Sequence, residues 1–575
     1  MIDLFKKNKN FFVFIFLFIV IFTFAGNFLN SYFQQDEWHG FGLVIANNNL
    51  PLSSWFSLVS GQHYFPFNLI FWAILFNFFG FNAAYYALTS LILHLISSFL
   101  VYLFMKKISK NFYVGFLSSI LFAMNARADQ GFLHLAVFPS TVTSFIFIIA
   151  ILLYLLLISK KKRYEIKDFL IISFYFLITV HFREDGLFLI PLIPIFILLF
   201  ARKTINKRNL KFFLGIFLTA VAFLGFRVVL QFLDANSTSQ TNPKILQINY
   251  YKILITNVLT FPFKVLIENL VEPFETLYKF SHYFYFLAKV DTIFLLNIMF
   301  MILGSLTTIS LLLSRLLIKN LNFYKFAIFS LIGIFLYALL LSTVGRTMDI
   351  VEPRYLYFTG FLVMSTLAWF LVELFNTKFK YGNYIKNALI IVFVFLYLVY
   401  SFNNTQLRLN TLNKVSEIRK SIITQVLDDK PSIKEKTIFY FQCKGICLRN
   451  SEFGISNNLV LPFSSGPGWI LMLQYAKNNQ QVYAPFFRTY NKDEVLWDWR
   501  NNRFDNEVAN EFLWDMGAQG YNEINGRGFG YFTNLDLLKK TIKNYNLSKD
   551  SVVGFEYDEK NIKITDKTKE IIKQL

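Results

Sequence analysis

What most constrains this chain is the recurrence of apolar runs long enough, or nearly long enough, to cross a bilayer. They fall at about 11–29, 84–105, 112–125, 138–158, 169–182, 186–201, 212–232, 292–314, 326–344, 355–375 and 387–402. A helix rises ~1.5 Å per residue, so roughly 20 apolar residues span the hydrocarbon. The pattern therefore predicts about eleven transmembrane helices over 1–402 and a separate domain over 403–575. A further run, 65–79, is too short to span and reads as interfacial or re-entrant. Composition excludes a single water-soluble globule: 55% of the 575 residues are hydrophobic and 16% charged, where soluble domains carry about 25% charge. The tail is different in kind. It has a helical stretch near 406–428, a strand Thr437 to Gln442, a Gly/Pro loop at 464–468, and a strand through Tyr531 followed by a helix over 535–545. The predicted fold class is an all-α polytopic membrane domain with a C-terminal α/β domain.

The net charge of +20 in a soluble protein would suggest nucleic acid. Its distribution argues otherwise. With the N-terminus in the cytoplasm, the inner segments carry +18 and the outer loops before residue 403 carry −3, as the positive-inside rule requires. The excess is a topology signal, and no nucleic-acid partner is expected. An odd number of spans then places 403–575 outside, in a multi-pass protein of the cell membrane. The first apolar run lacks a convincing small-residue cleavage site and reads as an uncleaved helix. Cys443 and Cys447 are the only cysteines; on the oxidising side a local disulfide outranks zinc, because two cysteines without matching histidines cannot fill a tetrahedral site.

Four polar clusters interrupt the outer boundary. The first is Asp36-Glu37-Trp38-His39-Gly40-Phe41-Gly42, just past the first helix. The second contains Asn125, Arg127, Asp129 and His134. The third is His181-Phe182-Arg183-Glu184-Asp185-Gly186, between two helices. The fourth runs from Gly345-Arg346 through Asp349 and Glu352 to Arg354-Tyr355-Leu356-Tyr357. Acids at the edge of hydrocarbon are costly unless paired or functional, so the acid pair is either the solvated start of a loop or part of a site. Arg127 with Asp129 is equally readable as a local ion pair. Gathered around one cavity, the clusters would supply carboxylates that exchange protons and guanidiniums whose fork matches phosphate oxygens. That combination suits a sugar linked to a polyprenyl phosphate: an apolar tail, an anionic leaving group and an electrophilic anomeric carbon.

In the order and sidedness of these motifs the chain resembles the polytopic GT-C glycosyltransferases, above all the protein O-mannosyltransferases and bacterial relatives such as the aminoarabinose transferases. The resemblance covers roughly residues 1–400. It implies that Asp36 is the catalytic base, with Glu37 as second acid and Asp129 as the acid of the second outer loop. Arg183-Glu184 ahead of Pro191 matches a basic-acidic pair, and Arg354 to Tyr357 an Arg-Tyr-Leu-Tyr phrase. Asn125 is followed by Ala126 where relatives often have Pro, and the tail matches no known sugar-binding module.

The reaction so implied is inverting transfer of a sugar from a polyprenyl-phosphate donor to a protein, lipid or glycan acceptor at the outer face. Arg183, Arg346 and Arg354 are the candidates for the donor phosphate, and His39, Arg127, His134, Glu184 and Tyr355 for support. No cofactor is expected to be obligatory. Asp36 and Asp129 could hold a divalent Mg or Mn ion, although two acids are a thin ligand set. Membrane lipids are the remaining expected partners. The alternatives are a lipid or sugar transporter or flippase, and a non-catalytic membrane assembly protein. Against transport, the acids cluster on one side, and inside the predicted helices only Arg227 and His94 are well away from the ends.

Overall fold

The computed structural model describes residues 8–33, 36–47, 66–159, 165–200, 215, 218, 221–222, 248–270, 292–342, 353–378, 382–444, 467–478, 520–524, 527–558 and 561–575. Arg346 and the Trp497-to-Arg500 segment lie outside them. In chain order the helices to residue 429 are α1 Lys9–Ala25, α2 Asp36–Asn47, α3 Pro66–Phe79, α4 Ala83–Ser109, α5 Phe112–Ala123, the single turn α6 Gln130–Leu133, α7 Phe138–Ile158, α8 Ile166–Phe182, α9 Leu189–Phe200, α10 Ile248–Glu268, α11 Thr292–Leu313, α12 Leu321–Ser342, α13 Leu356–Asn376 and α14 Asn383–Asp429. The tail continues with β1 Lys436–Cys443, α15 Pro467–Asn478, β2 Gly520–Ile524, β3 Arg527–Phe532, α16 Leu535–Asn544, β4 Val552–Asp558, β5 Lys563–Asp566 and α17 Thr568–Gln574.

Among the described residues, seven helices are long and apolar enough to cross a membrane, and three apolar ones are shorter, at Pro66–Phe79, Phe112–Ala123 and Gly186–Phe200. The chain is thus a multi-pass, mainly helical protein with a small C-terminal sheet. The run 212–232 falls almost wholly outside the described residues. One feature departs from the sequence expectation. The region between that run and the next predicted span contains α10, a 21-residue helix that hydropathy did not announce.

Contacts divide the chain into two compact units, 1–26 with 88–407 and 27–87 with 408–575. The sequence suggested a boundary at 402/403; the structure places it a little later and assigns 27–87 to the same unit as the tail. In the first unit α7 packs on α8, α5 on α13, and α10 against both α11 and α12. Gly115 permits the close approach of α5 to α4: a Cβ there would sit 2.8 Å from the Tyr102 carbonyl oxygen.

In the second unit α2 packs on α3 and on α15. Trp38 and Phe41 of α2 are fully buried. The Phe41 ring lies 5.2 Å from Trp72 and 4.7 Å from Phe33, edge to face in both cases, a geometry that adds to simple area burial. The run read as interfacial or re-entrant is therefore α3, whose rings Trp72 and Phe76 help close this aromatic core. The sheet order is β2-β3-β1-β4-β5; the central β1 is parallel to β3 and β4, and both edge pairs are antiparallel. β1 is covered on both faces: Ile438 and Tyr440 pack with Leu538 and Ile571, while the Phe439 ring stacks 5.7 Å from Tyr475 of α15. That explains its nearly continuous apolar sequence. Cys443 at its end is disulfide-bonded.

Candidate functional site

The loop between α5 and α7 is built as a turn with many tethers. Asn125 closes it locally, its Oδ1 accepting from the Arg127 backbone N–H at 3.0 Å, the Asx-type bond that lets such residues replace secondary structure. Its amide also donates to Asn269 Oδ1 at 3.2 Å, and Asn269 donates to Thr359 Oγ1 at 3.2 Å. Arg127 is nearly buried, with Nε donating to the Glu268 carbonyl at 3.1 Å and Nη2 3.5 Å from the Glu268 carboxylate. Asp129, also buried, accepts from Thr405 Oγ1 of α14 at 3.0 Å. The Arg127–Asp129 pair considered from sequence is thus outreached by partners on α10 and α14.

α13 completes the clamp. The Gln130 side chain accepts from the Arg354 backbone N–H at 3.2 Å. Gly131 lies against the Tyr357 ring, where a Cβ would come within 2.6 Å. Tyr357 Oη is 2.7 Å from His94 Nδ1, and His94 Nε2 is 3.1 Å from the Ala123 carbonyl. A carbonyl can only accept, so Nε2 carries the proton and Nδ1 accepts from the tyrosine. The His94 ring stacks on Phe132 at 3.8 Å. His94 is thereby a packing and hydrogen-bonding hub of the loop, a role its place inside a helix gave no hint of.

Beside this clamp stand two guanidiniums. Arg183, at the C-terminal end of α8, and Arg354, just before α13, lie over the Tyr355 ring at 5.2 and 5.3 Å from its centre. Arg183 also donates to Thr141 Oγ1. All three side chains are half-buried. Cation–π attraction at such accessible sites is worth about 0.5–1 kcal/mol, and the forked donors of both side chains are of the kind that suits phosphate oxygens. Glu184 begins the 3₁₀ turn Glu184–Phe188, and His134 follows α6, half-buried. The first unit therefore assembles the second cluster, the third and the Arg354-to-Tyr357 part of the fourth, although they are separated by up to some 230 residues of sequence.

The first cluster belongs to the other unit. Asp36 is the first residue of α2 and His39 lies in its first turn. Glu37 is fully buried and interacts electrostatically with the equally buried Arg419 of α14. Acids in a helix's first turn also complement its macrodipole. Glu268, Asn269, Thr405 and Arg419 were missed by the sequence reading. The first two were assigned to a loop, and Arg419 was one basic residue among the 24 of the tail.

A separate apolar groove of about 530 Å³, lined by Leu371, Ile385, Leu389 and Phe393 among others, lies at the opposite end of α13 from Arg354. For a divalent ion, no group of three His, Cys, Asp or Glu residues is gathered among the described residues.

No family model and no curated protein matches the chain. Among solved structures it is similar to the apo oligosaccharyltransferase of Archaeoglobus fulgidus, with a TM-score of 0.40 and 12% identity over 76% of this chain and 63% of that one. It is similar also to the Archaeoglobus fulgidus oligosaccharyltransferase AglB in complex with an inhibitory peptide and a dolichol-phosphate, at 0.42 and 14% over 76% and 62%. A third is ArnT from Cupriavidus metallidurans bound to undecaprenyl phosphate, at 0.37 and 10% over 75% and 82%. These neighbours are GT-C glycosyltransferases. The chain spans somewhat under two thirds of the length of the two archaeal structures.

Proposed function

We propose that this protein is an inverting membrane glycosyltransferase that moves a sugar from a polyprenyl-phosphate donor to an acceptor at the outer face of the membrane. The observation that carries the reading is the pair Arg183 and Arg354 around Tyr355, fastened through the Arg354 backbone to the loop that bears Asp129. It brings together motifs whose order in the sequence already resembled that of such enzymes. In the proposed step the acceptor's hydroxyl or amine forms a bond to the anomeric carbon while the bond from that carbon to the phosphate oxygen breaks. The electron pair leaves with the phosphate, where Arg183 and Arg354 offset its charge, and the acceptor proton goes to Asp36. Asp129 supports the acceptor. The N-terminus is assigned to the cytoplasm and 403–575 to the outside, from the +18 and −3 of the two sides.

The test uses the purified full chain with polyprenyl-phosphate sugars of several classes, reading release of sugar from the lipid and its appearance on an acceptor. Transfer that is lost in Arg354→Lys supports the reading. Sided flux of intact donor across liposomes without cleavage would replace it with transport, and donor binding with neither would leave an assembly role.

A further inference from the structure

We infer that Arg419, on the helix leading into the tail, is a positioning residue that holds the acid-bearing helix α2 in place. The activity arm of this inference rests on the reading of Asp36 as the reacting carboxylate; the structural arm does not.

Arg419 is fully buried, as is Glu37. Its Nη1 donates to the Phe33 carbonyl, three residues ahead of Asp36. Its Nε and Nη2 have no hydrogen-bond partner among the described residues, while its charge interacts with Glu37 and with Tyr32. The surroundings are tightly packed: burial pushes the Tyr32 phenol well above its usual range, and the Tyr32 and Phe33 rings both pack on Trp38. A second tie runs from Asn413 Nδ2 to the Asn27 carbonyl at 2.9 Å. An apolar side chain of the same volume would serve packing alone at least as well, because desolvating an ion costs several kcal/mol. What an arginine adds is direction. It fixes the backbone entering α2 through one donor and the first turn through the charge on Glu37. A helix turns about 100° per residue, so clamping Glu37 sets the azimuth of the Asp36 position. In the acid pair the second acid then serves as the anchor and the first is assigned to chemistry. The tail, in this view, builds the reacting segment rather than serving as an accessory to it.

The experiment compares Arg419→Lys and Arg419→Met in the full chain. Lys keeps a positive charge near Glu37 but gives up the planar fork; Met gives up both. Thermal melting reports folding. In a structural arm, Gln35→Cys is introduced as a reporter and its rate of thiol labelling read in each background. Labelling should accelerate about tenfold with Lys and more with Met. In the activity arm, without the reporter, kcat should fall about tenfold with Lys and about a hundredfold with Met at unchanged donor KM, a split that general loosening of the fold would not give. If Met fails to fold, Lys carries both arms. Folded variants that label and turn over like the parent overturn the inference. A parent that transfers no sugar but shows the labelling differences sinks the proposed function while leaving the positioning role standing.

Discussion

Replacing Asp36 by Asn keeps size and hydrogen bonding but cannot take up a proton. Turnover should therefore drop by at least ~10²-fold with donor affinity nearly unchanged, as loss of a general base requires; initial rates with titrated donor check it, and full activity of the purified variant ends the mechanism. Asp129→Asn keeps a group able to accept from Thr405, so its loss should be smaller and sensitive to acceptor concentration. Arg183→Lys and Arg354→Lys retain charge yet lose the planar fork and the stacked contact with Tyr355. Donor binding should weaken about tenfold in each, read by titration with labelled polyprenyl phosphate; normal binding in both would move the phosphate elsewhere. The candidate site could be put forward from sequence because acids and arginines at a hydrocarbon edge are anomalies that hydropathy leaves exposed. His94, Asn269 and Thr405 were illegible for the opposite reason: a buried polar residue meets its partner through tertiary contact, and nothing local in sequence records a bond between Asp129 and a residue 276 positions away.

Among the elements, α14 and α10 show what periodicity captures and what it misses. The sequence suggested a span over 387–402 and a separate helix near 406–428; the structure joins them in one 47-residue helix. It starts after Gly382, whose φ of +82° stops the chain from continuing a helix, ends before Pro431, and contains neither residue in between. α10 escaped detection because its polarity is mixed. Asn257, Thr260, Lys264 and Glu268 are buried together with Phe261 and Val265, while Ile255 and Leu259 are exposed, so polar side chains share the face turned to the protein interior. Glu268→Gln should consequently destabilise the first unit by about 3–5 kcal/mol, as breaking a buried pair does, seen as a lowered melting temperature in detergent; an unchanged midpoint would show that the Arg127 contact carries little. At the other end of the chain, Gln425 of α14 accepts from the Ile564 N–H and donates to the Ile562 carbonyl, both at 2.9 Å, and Lys430 Nζ lies 2.8 Å from Asp566. Partial burial pushes the Asp566 carboxyl up, but hydrogen bonds from Lys430 and Thr568 outweigh this and hold it below the usual carboxylate range. A depressed carboxylate stabilises the fold above its unfolded pKa, near 3.8, and that support disappears as pH falls through the folded value. At this exposure it is worth about 0.2–1 kcal/mol. Amide protection over 561–575 in the full chain should be lower in Asp566→Asn than in the parent at pH 6, and the two should draw together as pH is lowered below 3.8; a difference undiminished in acid would exclude the ion pair as its source.

At the scale of the whole molecule, the proposed sidedness rests on α14 together with the charge of the loops. Forty-seven residues of helix reach ~70 Å at ~1.5 Å per residue, more than twice the ~30 Å of hydrocarbon, so α14 must project well beyond the membrane. Its first turns lie beside Lys378, Lys380 and Lys386, an end that the positive-inside rule assigns to the cytoplasm. Thr405 is 22 residues further on, ~33 Å along the axis, which is about one hydrocarbon thickness. On that assignment its bond to Asp129 would put the Asp129 loop at the opposite boundary. The candidate carboxylate and the tail should accordingly share the outer side of the membrane, with 160–164 on the inner side. Single reporter cysteines in a Cys443→Ser, Cys447→Ser background test this in intact cells with an impermeant thiol reagent. A reporter at Lys569 should label without permeabilisation, and one at Lys161 only after it. The reverse pattern would invert the topology and move the site to the cytoplasm, and labelling of both positions in intact cells would mean that the continuous helix does not cross the bilayer as its length and charges require.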